Sequence, residues 1–252
     1  GTCLGPLLFN IASNDLSCHI PHEINGFRIT TVRYADDTQL AISGPRSRLA
    51  EMEHCLEKVL NIMCTWFYQH GMKVNARKTE MLLCGDRRQL KLVSRPANVM
   101  FLGEQVTSTN IVKNLGVVMD QHLTWEYHVQ HILNRCFGIL IGLLNAKHVI
   151  PQEVLPTLID SLVMSHVRYC VQVYGSAGTT VTGKIQAVFN FAARVISGRR
   201  KFHHISDVLS ELNWLNAEQF VRFNDLCLLH KMLSLQTPDV LSSRYHFNHD
   251  VC

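Results

Sequence analysis

The sequence predicts an α+β chain, with an antiparallel sheet and packed helices over residues 1–120 and an all-helical region over residues 121–252. The first observation is a pair of short stretches within residues 27–43 that are rich in β-branched and aromatic residues and flank a polar bend. Such stretches are typical of strands. The second is an apolar pattern at three- and four-residue steps, which begins in Ser47–His70 and fills most of the second half. This spacing is typical of amphipathic helices.

The composition indicates a globular protein with a sizeable core. The 252 residues are 47% hydrophobic and 17% charged, which allows one or two domains. The net charge of +4 is compatible with nucleic-acid binding without requiring it. The nine cysteines are scattered and form no Cys-x-x-Cys pair, so we expect reduced thiols in an intracellular protein. The longest apolar run, Cys136–Leu144, is too short to cross a bilayer, which takes roughly 20 residues.

The first predicted helix begins at Pro6, because proline suits the first turn of a helix. Leu7, Leu8 and Ile11 supply its packing face. Leu16 is a further candidate for the same face.

A β-hairpin is predicted next, with strands Phe27–Tyr34 and Thr38–Ser43 and with Ala35, Asp36 and Asp37 at its bend. Adjacent carboxylates at the tip of a buried hairpin repel each other and lose hydration, and a bound divalent cation relieves both effects. Aspartate also favours turns, so the alternative is a polar turn that holds no ligand.

The clearest helix covers Ser47–His70 and stops at Gly71. Residues 71–85 predict a short strand, a turn and a returning strand, and residues 86–96 an exposed basic connection. The apolar positions of the helix are Leu49, Met52, Leu56, Leu60, Met63 and Phe67.

Two further β elements are predicted before the second half begins. Val99–Val106 predicts a hairpin around Gly103, and Ile111–Asp120 predicts one more strand. The composition changes near Asp120, and we place the domain boundary there.

Four helices are predicted beyond that boundary. They cover Trp125–Lys147, Gln152–Tyr174, Val181–Gly198 and Ala217–Leu235. In the second of them, Leu155, Ile159 and Leu162 share one face, with His166 as a further member. In the third, the apolar positions are Ile185, Val188, Phe189, Ala192, Val195 and Ile196.

The strongest basic cluster is Arg199, Arg200 and Lys201, with Phe202 directly after it. Cations pair with phosphates and an aromatic ring can stack on a base, so the cluster is a candidate nucleic-acid contact. The alternative is a solvated loop between two helices.

The blocks around the hairpin resemble the reverse transcriptases of non-LTR retrotransposons (LINE-like, jockey/CR1-type elements). Tyr34–Asp37 is similar to the family's catalytic Tyr-Ala-Asp-Asp motif. Gly1–Phe9 is similar to the end of the block Gln-Gly-x-x-Leu-Gly-Pro-Leu-Leu-Phe, and Gly71–Glu80 to the block Gly-x-x-x-Asn-x-x-Lys-Thr. The three blocks stand in the family's order.

The resemblance continues through the rest of the chain. Leu115 and Gly116 match the Tyr-Leu-Gly-Val segment that holds the primer end in the family, although Asn114 stands where the family usually has an aromatic residue. Tyr169–Gly175 is similar to a Leu-x-Tyr-Gly block, and Ile185–Gly198 to a Val-Gln-Asn-x-x-x-Arg-x-Ile-x-Gly block. The resemblance therefore spans almost the whole chain.

This resemblance implies part of a right-hand polymerase palm followed by a helical thumb and C-terminal region, with RNA-directed DNA polymerase activity. It implies two Mg²⁺ ions, or Mn²⁺ in their place, held by Asp36 and Asp37, with Lys78, and Lys73 second, near the triphosphate. Tyr34 would pack beneath the hairpin. The residues that it places next to substrate or primer are Gly1, Gly5, Pro6, Tyr34, Ala35, Leu115 and Gly116. Its implied partners are an RNA template, a DNA primer or target and deoxynucleotides, in the nucleus and away from membranes, with the oligomeric state left open.

The family also needs an Asp from a segment that precedes the Gly-x-x-Leu-Gly block. Because the chain opens abruptly on Gly1, we expect that segment to be missing and the chain alone to be inactive. Two alternatives stay open. One is a palm-fold polymerase of another kind, such as an RNA-dependent RNA polymerase, against which the Lys-Thr block and the helical half argue. The other is a non-catalytic, nucleic-acid-binding remnant of a decayed element.

Overall fold

The structure is a computed structural model that describes residues 4–235 and Leu241. Gly1, a predicted substrate contact, lies outside the described residues. Contacts between Cα atoms divide the chain into two compact units, which are described separately. The first comprises Gly1–Lys113 with Asp120–Leu123, and the second comprises Asn114–Met119 with Thr124–Cys252. The α+β class is confirmed, because the described residues combine small sheets with many helices.

The first unit combines short helices and small sheets. Its helices are α1 (Gly5–Ala12), α2 (Leu16–His19), α3 (Leu49–Gln69) and α4 (Arg87–Leu90). Its strands are β1 (Glu23–Ile24), β2 (Phe27–Tyr34), β3 (Asp37–Ile42), β4 (Met81–Leu82), β5 (Asn98–Phe101) and β6 (Glu104–Thr109). Strands β7 (Ile111–Asn114) and β8 (Val117–Asp120) form a two-stranded sheet at the division between the units.

The predicted hairpin is confirmed as β2 and β3, which pair antiparallel, with β1 added on the other side of β2. Helix α3 holds this sheet in place. On one side of the helix, Val59 and Met63 pack with Ile29 of β2. On another, the half-buried Leu56 and Leu60 pack against the cluster that β5 and β6 supply. The predicted apolar face of α3 is therefore confirmed, since all six of its positions are buried or half-buried.

The hairpin predicted around Gly103 is also confirmed. Strands β5 and β6 pair antiparallel across Leu102 and Gly103, which both have positive φ, as a two-residue hairpin loop of type I′ requires. The prediction for residues 71–85 is partly wrong. No strand forms over residues 72–75. The expected turn is the 3₁₀ turn Ala76–Lys78, which starts where the Asn75 side chain accepts a hydrogen bond from the Arg77 N–H, and the returning strand is β4.

The single strand predicted over Ile111–Asp120 is instead the hairpin of β7 and β8. Leu115 has a φ of 45° and Gly116 a φ of 84°, so the chain reverses at these two residues. Glycine adopts such angles readily, but leucine rarely does, and this hid the turn from the sequence pattern.

The apolar face predicted for the first helix is wrong for three of its four residues. Leu7, Leu8 and Ile11 are 57%, 59% and 66% exposed, and Leu16 alone is buried. Helix α1 does begin at Gly5 and Pro6, as predicted. Its leucines were assigned to a core because a helical repeat of apolar residues shows a face but not what covers it.

The second unit is helical apart from its share of the β7–β8 hairpin. Its helices are α5 (Glu126–Ala146), α6 (Leu155–Ile159), α7 (Ser165–Arg168), α8 (Val171–Tyr174), α9 (Thr179–Ser197), α10 (Ser206–Glu211) and α11 (Ala217–Leu235). Three of the four predicted helices are confirmed as α5, α9 and α11. The predicted apolar positions of α9 are all buried. No helix in the described part of the chain has the length and apolar character needed to span a membrane.

The continuous helix predicted over Gln152–Tyr174 is wrong. A π-helical segment, Asp160–Met164, separates α6 from α7, and each extra residue in such a turn rotates the next helical turn around the axis. Leu155 and Ile159 are fully buried as predicted, but Leu162 is 45% exposed and Val163 takes its place in the core. Helix α8 then begins after Cys170, whose φ is 55°.

Candidate metal and nucleotide site

The hairpin between β2 and β3 places both candidate metal ligands at its tip. Tyr34 pairs with Asp37, so Ala35 and Asp36 form a two-residue loop. Ala35 has a φ of 51°, whereas Asp36 does not have positive φ. Positive φ is uncommon at a residue other than glycine, so Ala35 marks a strained turn between the paired strands. Asp36 and Asp37 are both exposed.

The register of the two strands decides which side chains share a face with the carboxylates. Because alternate residues face opposite sides, Tyr34 and its partner Asp37 lie on the same face as Val32 and its partner Gln39. Tyr34 is 65% exposed on that face, so the expectation that it packs beneath the hairpin is wrong. The resemblance implied that Tyr34 is buried, but its position in the pleat of β2 places the side chain on the exposed face of the hairpin.

The opposite face of the hairpin carries a charged residue that the sequence analysis missed. The Arg33 guanidinium donates hydrogen bonds to the backbone carbonyl and to the side-chain hydroxyl of Ser13. Ser13 is fully buried and follows the last residue of α1. Arg33 therefore connects the base of the carboxylate turn to the end of α1. The sequence contained a signal for this contact, because the alternation of β2 places the charged Arg33 on the face of the strand that is turned toward the core.

The remaining candidates of the first unit lie on separate elements. Lys78 is exposed at the end of the 3₁₀ turn, and Gly5 and Pro6 open α1. Among the described residues, no hydrogen bond or ion pair joins Lys78 to Asp36 or Asp37. Among the described candidates, Tyr34 to Asp37 share the hairpin tip, whereas Gly5, Pro6 and Lys78 lie on other elements of the first unit.

The donor set at the tip fits a hard divalent cation, because carboxylate oxygens are the ligands that Mg²⁺ and Mn²⁺ prefer. Both carboxylates are accessible, and neither is held by a protein cation in the described part of the chain. However, no group of three His, Cys, Asp or Glu side chains among residues 4–235 and Leu241 is placed to hold a metal. The tip therefore supplies a partial set of ligands.

Leu115 and Gly116 belong to the second unit, where Tyr169 contacts both of them. The Tyr169 hydroxyl donates a hydrogen bond of 2.6 Å to the Leu115 carbonyl. A Cβ added at Gly116 would lie 3.4 Å from Cε1 of the Tyr169 ring, which is ordinary contact distance. The ring thus packs against the turn. The Leu115 carbonyl, which could have faced a ligand, already accepts a hydrogen bond from Tyr169. The sequence analysis missed this role of Tyr169, because 54 residues separate it from Leu115.

The basic cluster is not uniform. Arg199 forms an ion pair with Asp207 at 2.6 Å and donates a hydrogen bond to the His204 carbonyl, so it closes the loop between α9 and α10. The hydrogen bond from Arg199, together with its charge, holds the pKa of Asp207 below its usual range. Arg200 and Lys201 are exposed. Of the three predicted cations, these two are available to a ligand.

Replacing Ala35 by valine should destabilise the first unit by about 1–2 kcal/mol, because a β-branched side chain at positive φ is more strained than alanine. The free energy of unfolding, measured in urea, checks this. The control is Ala41→Val, which places the same side chain at an exposed strand position of β3, where valine is favoured. Equal effects of the two substitutions would contradict the assigned turn.

Sequence comparisons show which known proteins this chain resembles. The sequence model of the family described as reverse transcriptase (RNA-dependent DNA polymerase) matches residues 1–119. A probable RNA-directed DNA polymerase from transposon BS of Drosophila melanogaster is 27% identical over 201 residues, which is 78% of this chain and 22% of that protein. The RNA-directed DNA polymerase from mobile element jockey of Drosophila funebris is 24% identical over 84% of this chain and 23% of its own length.

A third relative matches nearly the whole chain. The probable RNA-directed DNA polymerase from transposon X-element of Drosophila melanogaster is 25% identical over 98% of this chain and 25% of its own length. The chain thus spans about a quarter of the length of these relatives, and no solved structure gave a significant match. The family match over residues 1–119 and these relatives together support a reverse transcriptase of a LINE-like, non-LTR retrotransposon.

Proposed function

We propose that this chain is part of an RNA-directed DNA polymerase that extends a DNA primer on an RNA template, with the β2–β3 hairpin carrying metal ligands of the active site. One observation supports this most directly. The Tyr-Ala-Asp-Asp motif lies in the region that matches the family, and the hairpin presents both of its carboxylates to solvent at the bend. In this proposal the first unit is part of the palm, and the second unit is the thumb and C-terminal region.

Asp36 is the first-choice metal ligand and Asp37 the supporting one. Two Mg²⁺ ions, or Mn²⁺, would stabilise the charge on the attacking and leaving oxygens when bound. The tight turn places the Asp36 carboxylate in the two-residue loop and the Asp37 carboxylate on the first residue of β3, and the Arg33 to Ser13 hydrogen bonds hold the base of this hairpin tip. The small side chain of Ala35 leaves room beside the carboxylates for a primer terminus.

Lys78 is proposed to offset the negative charge of the departing pyrophosphate. It is exposed and forms no ion pair with an acid in the described part of the chain, so its ammonium group is available to an anion. Deoxynucleotides, the RNA template and the DNA primer or target are the proposed partners. The nucleus is the proposed location, because a DNA target implies access to chromosomal DNA.

The 252-residue chain alone should bind Mn²⁺ at the hairpin but should not extend primers. Two carboxylates supply a weak site, and among the described residues no third ligand joins them, so catalysis needs a further carboxylate from another segment or chain. Paramagnetic broadening of the Ala35, Asp36 and Asp37 amide signals by Mn²⁺ checks the first part, and primer extension with Mg²⁺ or Mn²⁺ checks the second.

Two variants sharpen this test. Asp36→Asn should remove the Mn²⁺ broadening, whereas Asp86→Asn, at an exposed acid that starts α4, should leave it unchanged. Robust, Asp36-dependent synthesis by the isolated chain would contradict the need for a further carboxylate. Unchanged broadening in Asp36→Asn would contradict the metal site and favour a non-catalytic, nucleic-acid-binding role, for which the incomplete ligand set is the supporting observation.

A further inference from the structure

An open cleft of about 740 Å³ lies in the second unit, between α9, the loop that leads to α10, and the start of α11. None of the candidates from the polymerase motif lies in it. Its polar lining includes three residues at four-residue steps along α9: Gln186, Asn190 and Arg194. The loop and the start of α11 add Lys201, Phe202, Trp214, Asn216 and Gln219.

Backbone hydrogen bonds fix which way the α9 amides face. The side-chain oxygen of Gln186, Oε1, accepts a hydrogen bond of 2.7 Å from the backbone N–H of Ala217. The side-chain nitrogen of Gln186, Nε2, must therefore be the donor in the second hydrogen bond of this side chain. That nitrogen donates to the Asn190 side-chain oxygen at 2.9 Å. The oxygen of Asn190 is therefore occupied, and its NH₂ group has no partner among the described residues.

The same holds at the start of α11. Asn216 and Gln219 cap this helix reciprocally, because the side-chain oxygen of each accepts a hydrogen bond from the backbone N–H of the other, at 2.9 Å and 3.1 Å. Both NH₂ groups are left without a partner in the described part of the chain. The amides that line the cleft thus keep their acceptors for the protein and retain their donors for a ligand.

The charges of the cleft have one sign. Arg194 and Lys201 line it, and no Asp or Glu is among its described lining residues. Arg194 is partly exposed, and no hydrogen bond or ion pair engages its guanidinium among the described residues. Its charge is therefore available to a phosphate. Asp207, the nearby acid, is neutralised by Arg199 and does not line the cleft.

An aromatic ring lies beside these donors. Phe202 lines the cleft and is 91% exposed, although a side chain of this kind is normally buried. The ammonium group of Lys201 lies 5.8 Å from the centre of its ring. A ring and a cation side by side can accept a base and its phosphate together.

We propose that this cleft is a binding site for single-stranded nucleic acid, which holds phosphates at Arg194 and Lys201 and stacks a base on Phe202. The free NH₂ groups of the cleft can donate hydrogen bonds to the oxygens of a nucleic-acid strand. Its positive charge can pair with phosphates, and its exposed ring can stack on a base. The volume lies within the roughly 300–1,000 Å³ of typical ligand sites, which suits one or two nucleotides. The site is separate from the hairpin carboxylates, so it goes beyond the polymerase reaction and holds whether or not Asp36 binds metal.

Fluorescence anisotropy with the 252-residue chain and labelled oligonucleotides of about 12 residues tests the proposal. Phe202→Ala should weaken binding about tenfold through lost stacking. Asn190→Asp keeps the oxygen that Gln186 needs but replaces the donor by a negative charge, and it should weaken binding at least as much. Lys201→Ala should reduce the salt dependence by about one phosphate contact. Tyr68→Ala removes an aromatic side chain that is 85% exposed in the first unit, and it should change nothing.

Two further arms separate the possible outcomes. An abasic oligonucleotide should bind weakly to the wild-type chain and should be insensitive to Phe202→Ala, because it offers no base to stack. Ribo- and deoxyribo-oligonucleotides distinguish the source of the strand, and a preference for either supports the site. Wild-type affinity in both Phe202→Ala and Asn190→Asp, or equal binding of the abasic strand, would overturn it. The assay contains EDTA and no divalent metal ion, so its outcome does not depend on metal binding at the hairpin, which separates this result from failure of the polymerase proposal.

Discussion

Replacing Gly175 by alanine should destabilise the helical unit by about 3 kcal/mol, the upper part of the range for inserting a methyl group into a packed core. A Cβ at Gly175 would lie 2.6 Å from the Val171 carbonyl oxygen and 2.8 and 2.9 Å from the two Cγ atoms of Val221. Val171 and Val221 are both buried, and the closest of these atoms belongs to the backbone of α8 itself. Relief therefore requires the end of α8 to deform and Val221 of α11 to move away. The free energy of unfolding in urea measures the loss.

The matched control is Gly183→Ala. Gly183 lies inside α9, and a Cβ there would meet nothing within 4 Å. Alanine should therefore stabilise this helix by about 0.5–1 kcal/mol, because glycine is the poorer helix former. The two substitutions should thus have opposite signs. A Gly175→Ala variant as stable as Gly183→Ala would show that α8 and α11 are not packed as described.

Gly175 also illustrates how much the sequence could predict. The Tyr-Gly block marked this position by resemblance, but the reason for glycine is contact with Val221, 46 residues further along the chain. Elements that depend on local spacing were predicted well, including the β2–β3 hairpin, α3, α9 and α11. Their strands and helices are encoded by periods of two and about 3.6 residues, which can be counted directly.

The errors have physical causes that the local pattern does not show. The extra residue in the π-helical segment moved Leu162 out of the core and Val163 into it, and no residue type in the sequence signals such a shift. The turn at Leu115 was missed because its positive φ is stabilised from outside, by the hydrogen bond from Tyr169. At Leu115, a contact from a distant segment overrode the local pattern.

The candidate site divides in the same way. Asp36 and Asp37 were predicted because the motif is contiguous and its turn is local. Of the nucleic-acid cleft, Lys201 and Phe202 were predicted from the basic cluster, but the donors on α9 and before α11 were not, because they become available only when Gln186 caps α11 through Ala217. A signal was present nonetheless. Gln186, Asn190 and Arg194 recur at four-residue steps, which places a polar stripe on a helix whose other face is apolar.

Glu53 is a buried acid on α3 whose partners come from the segment before β5 and from its first residue. The side chain is 10% exposed, and Arg95 donates to its Oε1 at 2.7 Å and also contacts its second carboxylate oxygen. The backbone N–H of Asn98 donates to Oε1 at 2.7 Å. Because these bonds join α3 to the first residue of β5, they fix the start of that sheet against the helix.

Replacing Glu53 by glutamine should destabilise the first unit by about 2–3 kcal/mol. Glutamine keeps the size of the side chain, but it is neutral and turns an NH₂ group toward donors that need an acceptor. The estimate lies below the cost of breaking a fully buried pair because the Arg95 side chain is 47% exposed. Urea unfolding at neutral pH measures the loss. The control is Glu51→Gln on the same helix, whose ion pair with Arg48 is exposed on both sides and should contribute little.

The effect of Glu53→Gln should also depend on pH in a direction that its environment determines. Burial raises the pKa of Glu53, but the hydrogen bonds from Arg95 and Asn98 and the charge of Arg95 outweigh it and hold the pKa below its ordinary value of 4.5. The unfolded chain therefore binds this proton more readily, so the stabilisation is complete above pH 4.5 and is lost as the pH falls through the lower, folded-state pKa. The stability gap between the wild-type chain and Glu53→Gln should narrow as the pH falls below 4.5. A gap that stays constant between neutral and acidic pH would show that packing of the side chain, rather than its charge, holds β5 against α3.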